Sequence, residues 1–553
     1  MSSADRVGRH GRGEATVDED TRQLEQFGYR QELRRTLSLF SNFGIAFTYL
    51  SPVVGIYSLF VLGLGAGGPR YLWLMPIVVA GQLLVALVFA ELGSMYPIAG
   101  ALFQWAKNLL GPGYAWFVGW AYGWALIVTV AAVDTGVAPY ISELLNSLFG
   151  SNFDGTNPNT ILVFTLILLA IQTTFNIVGV RFSALISRMG VFAEVGATFG
   201  IAILLAALGF HHGLGFTFST QGVENAHANP LGVDFAGHWW LGAAFVAILA
   251  NVYIFYGFES AGDVAEEVRN ASRRVPKAII YTVLAGFVTS FVLVLAFELA
   301  IPGHGFAKAA SFNGGIDYII GANTSSTAVQ DIILAFVCFA FFSCGTAIQA
   351  AASRVVYSYS RDEALPGWRV GCKVSERFRT PVVALLLGGA LLPVLFTLLA
   401  HINPSKPFHI GPVVYPPGIN ALLLLVSFGV SGIYLAFQMV VLAALIARWR
   451  GWRPTGRFTL GRWAWPVNVL ALIYGVAMLV NIVIPTGLSS PRGALFNYGS
   501  MTLAVMIVIM AVGALYFVVG RPDRRIARIG FGRAVPESPM APGTSSAGDA
   551  PST

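Results

Sequence analysis

Two acidic residues lie inside long apolar stretches of the sequence. Glu259 follows Gly257 in the run IFYGFES, and Glu194 lies within MGVFAEVGATFG. If these stretches cross a membrane, each charge costs about 3 kcal/mol even on a mild insertion scale, so intramembrane acids are candidates for holding protons or cationic groups. The alternative is a structural carboxyl that is satisfied by neighbouring hydrogen bonds.

Helix-breaking residues interrupt two of the apolar stretches. Pro52 and Gly55 lie in SPVVGIYSLF, and Gly257 lies in the run with Glu259. Unwound helix centres free amide groups that suit a carboxylate and carbonyl groups that suit an ammonium. Interrupted segments at matching positions of two halves indicate a transport site. The alternative is that Gly and Pro are simply frequent in membrane helices.

The composition requires a membrane environment for these stretches. Of the 553 residues, 56% are hydrophobic and only 11% are charged, against about 25% charged in soluble proteins. The apolar runs have the length of membrane helices, not the short alternating pattern of barrel strands, and the polar, Arg-rich beginning shows no cleavable signal peptide. We predict twelve spans at 39–64, 71–95, 113–137, 160–180, 184–209, 239–261, 278–301, 329–356, 381–401, 419–447, 464–486 and 496–520.

The distribution of Lys and Arg predicts the orientation. With the N-terminus in the cytoplasm, four of the 34 Lys and Arg fall in outer loops, namely Arg70, Lys308, Lys406 and Arg492. The positive-inside rule therefore predicts a multi-pass protein of the cell membrane with both termini cytoplasmic. It also explains the net charge of +7 without nucleic acid. We expect a cytoplasmic N-terminal segment with an amphipathic helix on the membrane surface (1–38), a twelve-helix membrane domain (39–520) and a disordered cytoplasmic tail (521–553).

The sequence gives no support to an enzyme. Cys338, Cys344 and Cys372 have neither metal-ligand spacing nor the spacing of a disulfide framework. A Gly-rich phosphate loop, an H-E-x-x-H motif and a nucleophile elbow are absent from the sequence. We expect no cofactor, no metal site and no ATP-driven step.

Four segments resemble the amino acid–polyamine–organocation permease superfamily. They are 81–106, 254–279, 353–368 and the opening 27–43, and the last is similar to the amino acid/choline branch. The resemblance covers roughly residues 24 to 520. It implies an all-α polytopic protein of twelve transmembrane helices. These form a LeuT-like five-plus-five inverted repeat, with helices 1 and 6 broken at the midplane, plus two extra helices.

The resemblance also implies substrate contacts. Backbone amides in the first break would face a carboxylate, a gate aromatic would cover the substrate, and carbonyls in the second break would face an amine. The amides belong to Val53, Val54, Gly55 and Ile56, the aromatic is Tyr253, the carbonyls belong to Ile254, Phe255 and Tyr256, and Gly257 forms the second break. Valines replace the family's first small residues here, which departs from the pattern that the resemblance implies for binding an amino-acid carboxylate.

Charged residues complete the expected machinery. Glu194 falls where many permeases of the superfamily place a lysine, so the charge is reversed, which suits proton coupling or attraction of an amine. Glu259 is interpreted as a gate or proton site. A cytoplasmic gate is expected from Glu266, Glu267, Arg354, Arg361 and Asp362, with ordinary topology charges as the alternative.

Other polar and aromatic residues of the spans receive weaker interpretations. Asp134, Glu298 and Glu91 are expected to be interfacial, and Ser343, Thr346, Gln349 and Phe428 are candidates for the cavity lining.

Three hypotheses for function follow. The first is a proton-coupled importer of amino acids or small amines, such as 4-aminobutyrate, ethanolamine, choline or a polyamine, working by alternating access. The second is an exchanger or sodium-coupled carrier of the same fold, and the third is a nutrient sensor that binds without transport. The expected partners are the substrate, a proton or sodium ion, and the lipid bilayer.

Overall fold

The computed structural model describes residues 19–178, 180–223, 239–240, 242–311, 314–402, 408–410, 413–415, 421–483 and 498–530. The twelve predicted spans fall largely within these ranges. The expected tail beyond residue 530 lies outside them.

The described chain is almost entirely α-helical, as its long apolar runs require. Its helices are α1 (19–26), α2 (Leu39–Leu50), α3 (Pro52–Gly67), α4 (Met75–Met95), α5 (Ala101–Leu110), α6 (Pro112–Phe149), α7 (Pro158–Val178), α8 (Val180–Leu208), α9 (Ala243–Val252), α10 (Ser260–Asp263), α11 (Ala271–Leu299), α12 (Phe306–Ala309), α13 (Gly315–Asn323), α14 (Thr327–Arg361), α15 (Trp368–Gly371), α16 (Val382–Leu385), α17 (Leu392–Ala400), α18 (Ala421–Trp449), α19 (Ala464–Val483), α20 (Tyr498–Gly520) and α21 (Pro522–Gly530).

Short elements connect these helices. A π-helical turn at Leu386–Leu391 joins α16 to α17, so the two form one continuous helix. Strands β1 (Phe408–Ile410) and β2 (Val413–Tyr415) form an antiparallel pair in which His409 faces Val414. Single 3₁₀ turns occur at Pro69–Leu74, Leu214–Phe218, Ala265–Glu267 and Gly461–Trp463.

Eleven segments of the described chain are long and apolar enough to cross a membrane. The protein is therefore a helical multi-pass membrane protein. The segment 239–261, predicted as the sixth span, contains only the ten-residue apolar helix α9 and the short α10, because the backbone between Tyr253 and Glu259 is not helical. The other eleven predicted spans each overlap one of the eleven segments.

Helices pack closely where glycine leaves room for a large side chain. A Cβ at Gly119 of α6 would lie 2.1 Å from the Tyr359 ring of α14, and one at Gly81 of α4 would lie 2.2 Å from the Tyr474 ring of α19. Small residues at such crossings are how membrane helices approach one another, since lipid supplies no hydrophobic drive for their association. The long helices α6 and α14 thereby pack against each other.

The N-terminal segment packs onto the protein. Leu24, Tyr29, Leu33 and Leu37 are buried, and within the described residues 19–38 only 19–26 are helical. The apolar residues that predicted a surface helix over 24–35 are thus turned into the helical bundle. At the other end, the predicted disordered tail begins with a helix, α21, whose Ile526 is fully buried.

Candidate functional site

A junction at Ser51 separates α2 from α3, and we call it the first junction. Ser51 adopts the left-handed conformation, with φ 41° and ψ 85°, which ends α2, while Pro52 begins α3 with a φ that suits the first helical position. The Gly55 amide donates to the Ser51 carbonyl over 3.0 Å, and the Ser51 hydroxyl accepts from the Val54 amide over 3.4 Å.

The Glu194 carboxylate of α8 binds the first junction. It accepts hydrogen bonds from the Ser51 hydroxyl and, over 3.0 Å, from the Val53 amide. Glu194 is fully buried, and helix N-termini favour anions. The free amides that begin α3 are therefore already bound, one of them by a carboxylate of the protein itself.

The second junction comprises Tyr253–Glu259, between α9 and α10. Gly257 has φ 101°, a backbone conformation open mainly to glycine. Its amide donates to Glu259 Oε2 over 2.9 Å, and its carbonyl accepts from the Ser260 hydroxyl over 2.7 Å. The buried Glu259 carboxyl thus fixes the turn that ends this segment.

The two junctions touch each other. A Cβ added to Gly55 would lie 2.7 Å from Ile254 Cγ1, and one added to Gly257 would lie 2.9 Å from the Leu50 backbone nitrogen. A cavity of about 30 Å³ remains beside them, room for about one water molecule. A molecule of four or more heavy atoms is larger than this cavity.

The cavity is lined by some of the predicted binding residues and by others that the sequence did not single out. Val54, Gly55, Tyr253 and Tyr256 line it, while the remaining predicted binding residues, Val53, Ile56, Ile254, Phe255 and Gly257, lie in the two helices and junctions around it. Tyr49, Cys344 and Leu422 are among the lining residues that sequence reasoning missed. Their only sequence signal was apolar character, which they share with the core.

An ion-pair cluster closes the bundle at the end where residues 29–37, 99–107, 266–274 and 354–362 meet, here called the basic end. The predicted group assembles there. Arg361 binds Glu266 through two hydrogen bonds of 2.8 and 3.1 Å, and Arg354 binds Glu267 over 2.9 Å. Glu266 also accepts from the Ala99 amide over 3.0 Å. These contacts link the chain after α10 to α14 and to the start of α5.

Asp362 of this group binds partners that the sequence did not predict. It accepts from Lys107 Nζ over 2.6 Å and from the Tyr29 hydroxyl over 2.9 Å. The guanidinium of Arg361 lies 4.0 Å from the centroid of the Tyr29 ring, a distance suited to a cation–π contact. The N-terminal segment is thereby held across the basic end.

Backbone contacts hold the same segment. The amides of Thr36 and Leu37 donate to the Glu267 carbonyl over 2.9 and 2.8 Å, and the Arg269 amide donates to the Leu37 carbonyl over 3.1 Å. Residues 29–37 therefore cover the ion pairs of the basic end.

Three acids that were expected at interfaces are fully buried within the protein. Glu91 pairs with Arg448 and accepts from the Leu460 amide over 2.8 Å. Asp134 accepts from Gln172 over 2.8 Å, and Glu298 has no hydrogen-bond partner among the described residues. Position near the end of a predicted span did not indicate whether the side chain is exposed, because neighbouring helices cover these ends.

The polar residues of α14 that were candidates for the cavity make their hydrogen bonds elsewhere. Gln349 accepts from Asn176 of α7 over 3.2 Å, and the hydroxyls of Ser343 and Thr346 donate to carbonyls of their own helix. Phe428 of α18 packs on Phe396, with ring centroids 6.0 Å apart. These four side chains lie outside the small cavity at the junctions.

A bundle of eleven candidate spans with two touching helix junctions is the architecture of a membrane transporter. The sequence pattern of the amino acid permease family matches residues 37–512, and the chain belongs to this family. It is therefore a transporter and not an enzyme.

Curated relatives extend over most of the chain. The amino-acid permease BAT1 of Arabidopsis thaliana is 26% identical over 514 residues, covering 89% of this chain and 93% of the relative. The GABA-specific permease of Saccharomyces cerevisiae is 24% identical over 501 residues, covering 87% and 81%. A putative amino acid/polyamine transporter of Macrophomina phaseolina is 23% identical over 458 residues, covering 80% and 93%.

Proposed function

We propose that this permease imports amino acids or small amines across the cell membrane by proton-coupled alternating access, with Glu194 as a proton-binding group. The observation that carries this proposal is the buried Glu194 carboxylate bound to the first junction, directly beside the contact with the second. A proton on Glu194 would remove its negative charge and weaken the hydrogen bond from the Val53 amide, so that helix end would be held less tightly. Substrate entry and protonation would then act on the same junction.

The two junctions are the unwound centres of two transmembrane helices in this proposal. With α9 and α10 counted as one interrupted span, the chain has twelve, arranged as a five-plus-five inverted repeat and two further helices. Interrupted helices at matching positions of two repeats are the usual place for a substrate site. The basic end would face the cytoplasm, with both termini on that side, as the excess of Lys and Arg suggests.

Because Glu194 already binds the first junction, the site favours an amine over an α-amino acid. A substrate carboxylate at the start of α3 would have to displace Glu194 from the Val53 amide. An ammonium group could instead approach Glu194 and the carbonyls of Ile254, Phe255 and Tyr256. Tyr253 would cover it from the cavity side. The printed names of two relatives, a GABA-specific permease and a putative amino acid/polyamine transporter, include GABA and polyamines, which are among the candidate substrates.

Uptake into liposomes tests the proposal. Purified protein should accumulate radiolabelled 4-aminobutyrate or putrescine under an inward proton gradient, and a protonophore should abolish accumulation. Glu194→Gln should lower gradient-driven uptake at least about tenfold, because charge-assisted hydrogen bonds contribute about 1.5–3 kcal/mol. Glu376→Gln, at an exposed loop residue, is the matched control.

Other outcomes of the same experiment separate the alternatives. Uptake driven by sodium, or exchange without net accumulation, would replace the proton-coupled importer by the second mechanism. Binding of 4-aminobutyrate or putrescine in a thermal-shift assay without any flux would favour a sensor.

Loss of the Arg361 ion pair should open the basic end. Arg361→Gln leaves Glu266 buried without its cation and removes the stacking on Tyr29. Breaking such a pair costs about 3–5 kcal/mol, so we expect amide hydrogen exchange in residues 29–37 to accelerate at least tenfold. Arg369→Gln, at an exposed arginine of α15, should leave exchange unchanged. Equal exchange in both variants would contradict a gate at this cluster.

A further inference from the structure

Tyr122 of α6 bridges two buried carboxyl groups near the second junction. Its hydroxyl lies 2.7 Å from Asp263 Oδ2 and 3.2 Å from Glu259 Oε1. Asp263 is four residues after Glu259, and its amide bonds to the Glu259 carbonyl, so both side chains lie on one face of a single helical turn. All three residues are fully buried.

The two short contacts of Tyr122 need one more proton than its hydroxyl group supplies. A phenol hydroxyl carries a single proton and can donate to only one of the two carboxyls. The other contact is a hydrogen bond only if that carboxyl is itself protonated and donates to the phenol oxygen. If both carboxyls were ionised, one carboxylate oxygen would lie against the Tyr122 oxygen with no proton between them. This repulsive contact would be buried away from water.

Within the described ranges, neither carboxyl has an ion-pair partner. No Lys, Arg or His among the described residues forms an ion pair with Glu259 or Asp263. From α2 the titratable side chain facing the pair is Tyr49, from α6 it is Tyr122, and from the second junction it is Tyr256. On α5, Ala101 and Trp105 contact this turn at Gly262.

Two polar atoms beside the pair have unused hydrogen-bonding capacity. Within the part of the chain that the structure describes, Asp263 Oδ1 and the Tyr49 hydroxyl are buried without a hydrogen-bond partner. The Tyr49 hydroxyl interacts electrostatically with both carboxyls, and Cys344 of α14 lies next to Tyr49, with its Sγ 3.3 Å from the Tyr49 carbonyl oxygen. The site therefore has acceptors and donors ready for a proton that moves within it.

We propose that Glu259 and Asp263 share one proton across Tyr122 and form a second proton site, distinct from Glu194. This inference rests on the proposed function and adds Asp263 and Tyr122 to its machinery. Glu259 also accepts from the Gly257 amide, so the shared proton and the turn of the second junction depend on the same carboxyl. Loss of the proton makes both carboxyls negative, and their repulsion acts on the segment that contacts α2.

Infrared spectroscopy of the purified full-length protein detects the proton directly. At neutral pH, the difference spectrum of wild type minus Asp263→Asn should contain the carbonyl band of about one protonated carboxylic acid, and wild type minus Glu259→Gln should contain the same band. Tyr122→Phe should shift the band, because its hydrogen bond is lost. Asp154→Asn is the control: Thr156 hydrogen bonds lower the pKa of this exposed carboxyl, so its removal should leave the band unchanged.

Transport separates this inference from the proposed function. Asp263→Asn should retain exchange of radiolabelled 4-aminobutyrate or putrescine but lose most gradient-driven accumulation. Accumulation in Asp263→Asn equal to wild type, or the absence of the carboxylic acid band from both difference spectra, would overturn the shared proton while leaving Glu194 coupling intact. Failure of the wild-type protein to accumulate any compound of a panel of amino acids, 4-aminobutyrate, putrescine, choline and ethanolamine would refute the proposed function, whereas the infrared result would still stand. If Asp263→Asn does not fold, Tyr122→Phe and Glu259→Gln provide the same spectral test.

Discussion

Gly257→Ala is expected to destabilise the protein by about 2–6 kcal/mol and to abolish uptake. The alanine would adopt a strained backbone conformation, which costs about 1–3 kcal/mol, and its Cβ would lie 2.9 Å from the Leu50 backbone nitrogen. Overpacking of this kind adds about 1–3 kcal/mol, and backbone cannot move aside as a flexible side chain can. Thermal unfolding and liposome uptake measure the two effects.

Gly209→Ala is the matched control for this change. Gly209 has φ 102°, nearly equal to the 101° of Gly257, but a Cβ there would have no atom within 4 Å. Its cost should be that of backbone strain alone, and uptake should persist. Equal losses of stability and uptake in both variants would mean that contact between the two junctions contributes nothing.

Arg448→Ala is expected to cost about 3–5 kcal/mol, the effect of leaving a buried ion without its partner. Glu91 is fully buried, and the Arg448 side chain is 4% exposed. The comparison is Arg457→Ala, which removes an exposed ion pair with Glu19. The Arg457 side chain is 51% exposed and the Glu19 side chain is 66% exposed. That change should cost less than about 1 kcal/mol. Unfolding in mixed micelles compares the two variants.

A double substitution separates the lost ion pair from lost packing. Replacing Glu91 by Gln together with Arg448 by Met removes both charges, and similar buried pairs can be replaced with little loss of stability. The double variant should therefore be more stable than Arg448→Ala. Equal instability would assign the effect to the shape of the Arg448 side chain.

The apolar runs predicted the membrane helices well because each one is a long, uninterrupted local signal. The sixth span illustrates the limit of that signal. Its composition is as apolar as the others, but a backbone unwound over Tyr253–Glu259 leaves only ten residues in α9. Gly257 indicated where the interruption lies and could not indicate how many residues it includes, since that length depends on packing against α2.

The sequence singled out some residues of the candidate site, and the residues that it missed have a common physical cause. Glu194 and Glu259 stood out because a charge in an apolar run is conspicuous in the sequence. Tyr122 and Lys107 did not, because their roles depend on partners 141 and 255 positions away, Asp263 and Asp362. Asp263 offered a weak signal in its spacing of four residues from Glu259.

The left-handed backbone at Ser51 has a mechanical consequence. A residue other than glycine in this conformation stores about 1–3 kcal/mol, and here the serine and the next free amide are both bound to Glu194. Because Glu194 holds this strained backbone, the charge on its carboxyl determines how stiff the connection between α2 and α3 is. Acidity would then set how readily that connection bends even when no solute is present, so the rate of the empty carrier's return across the membrane should itself depend on pH.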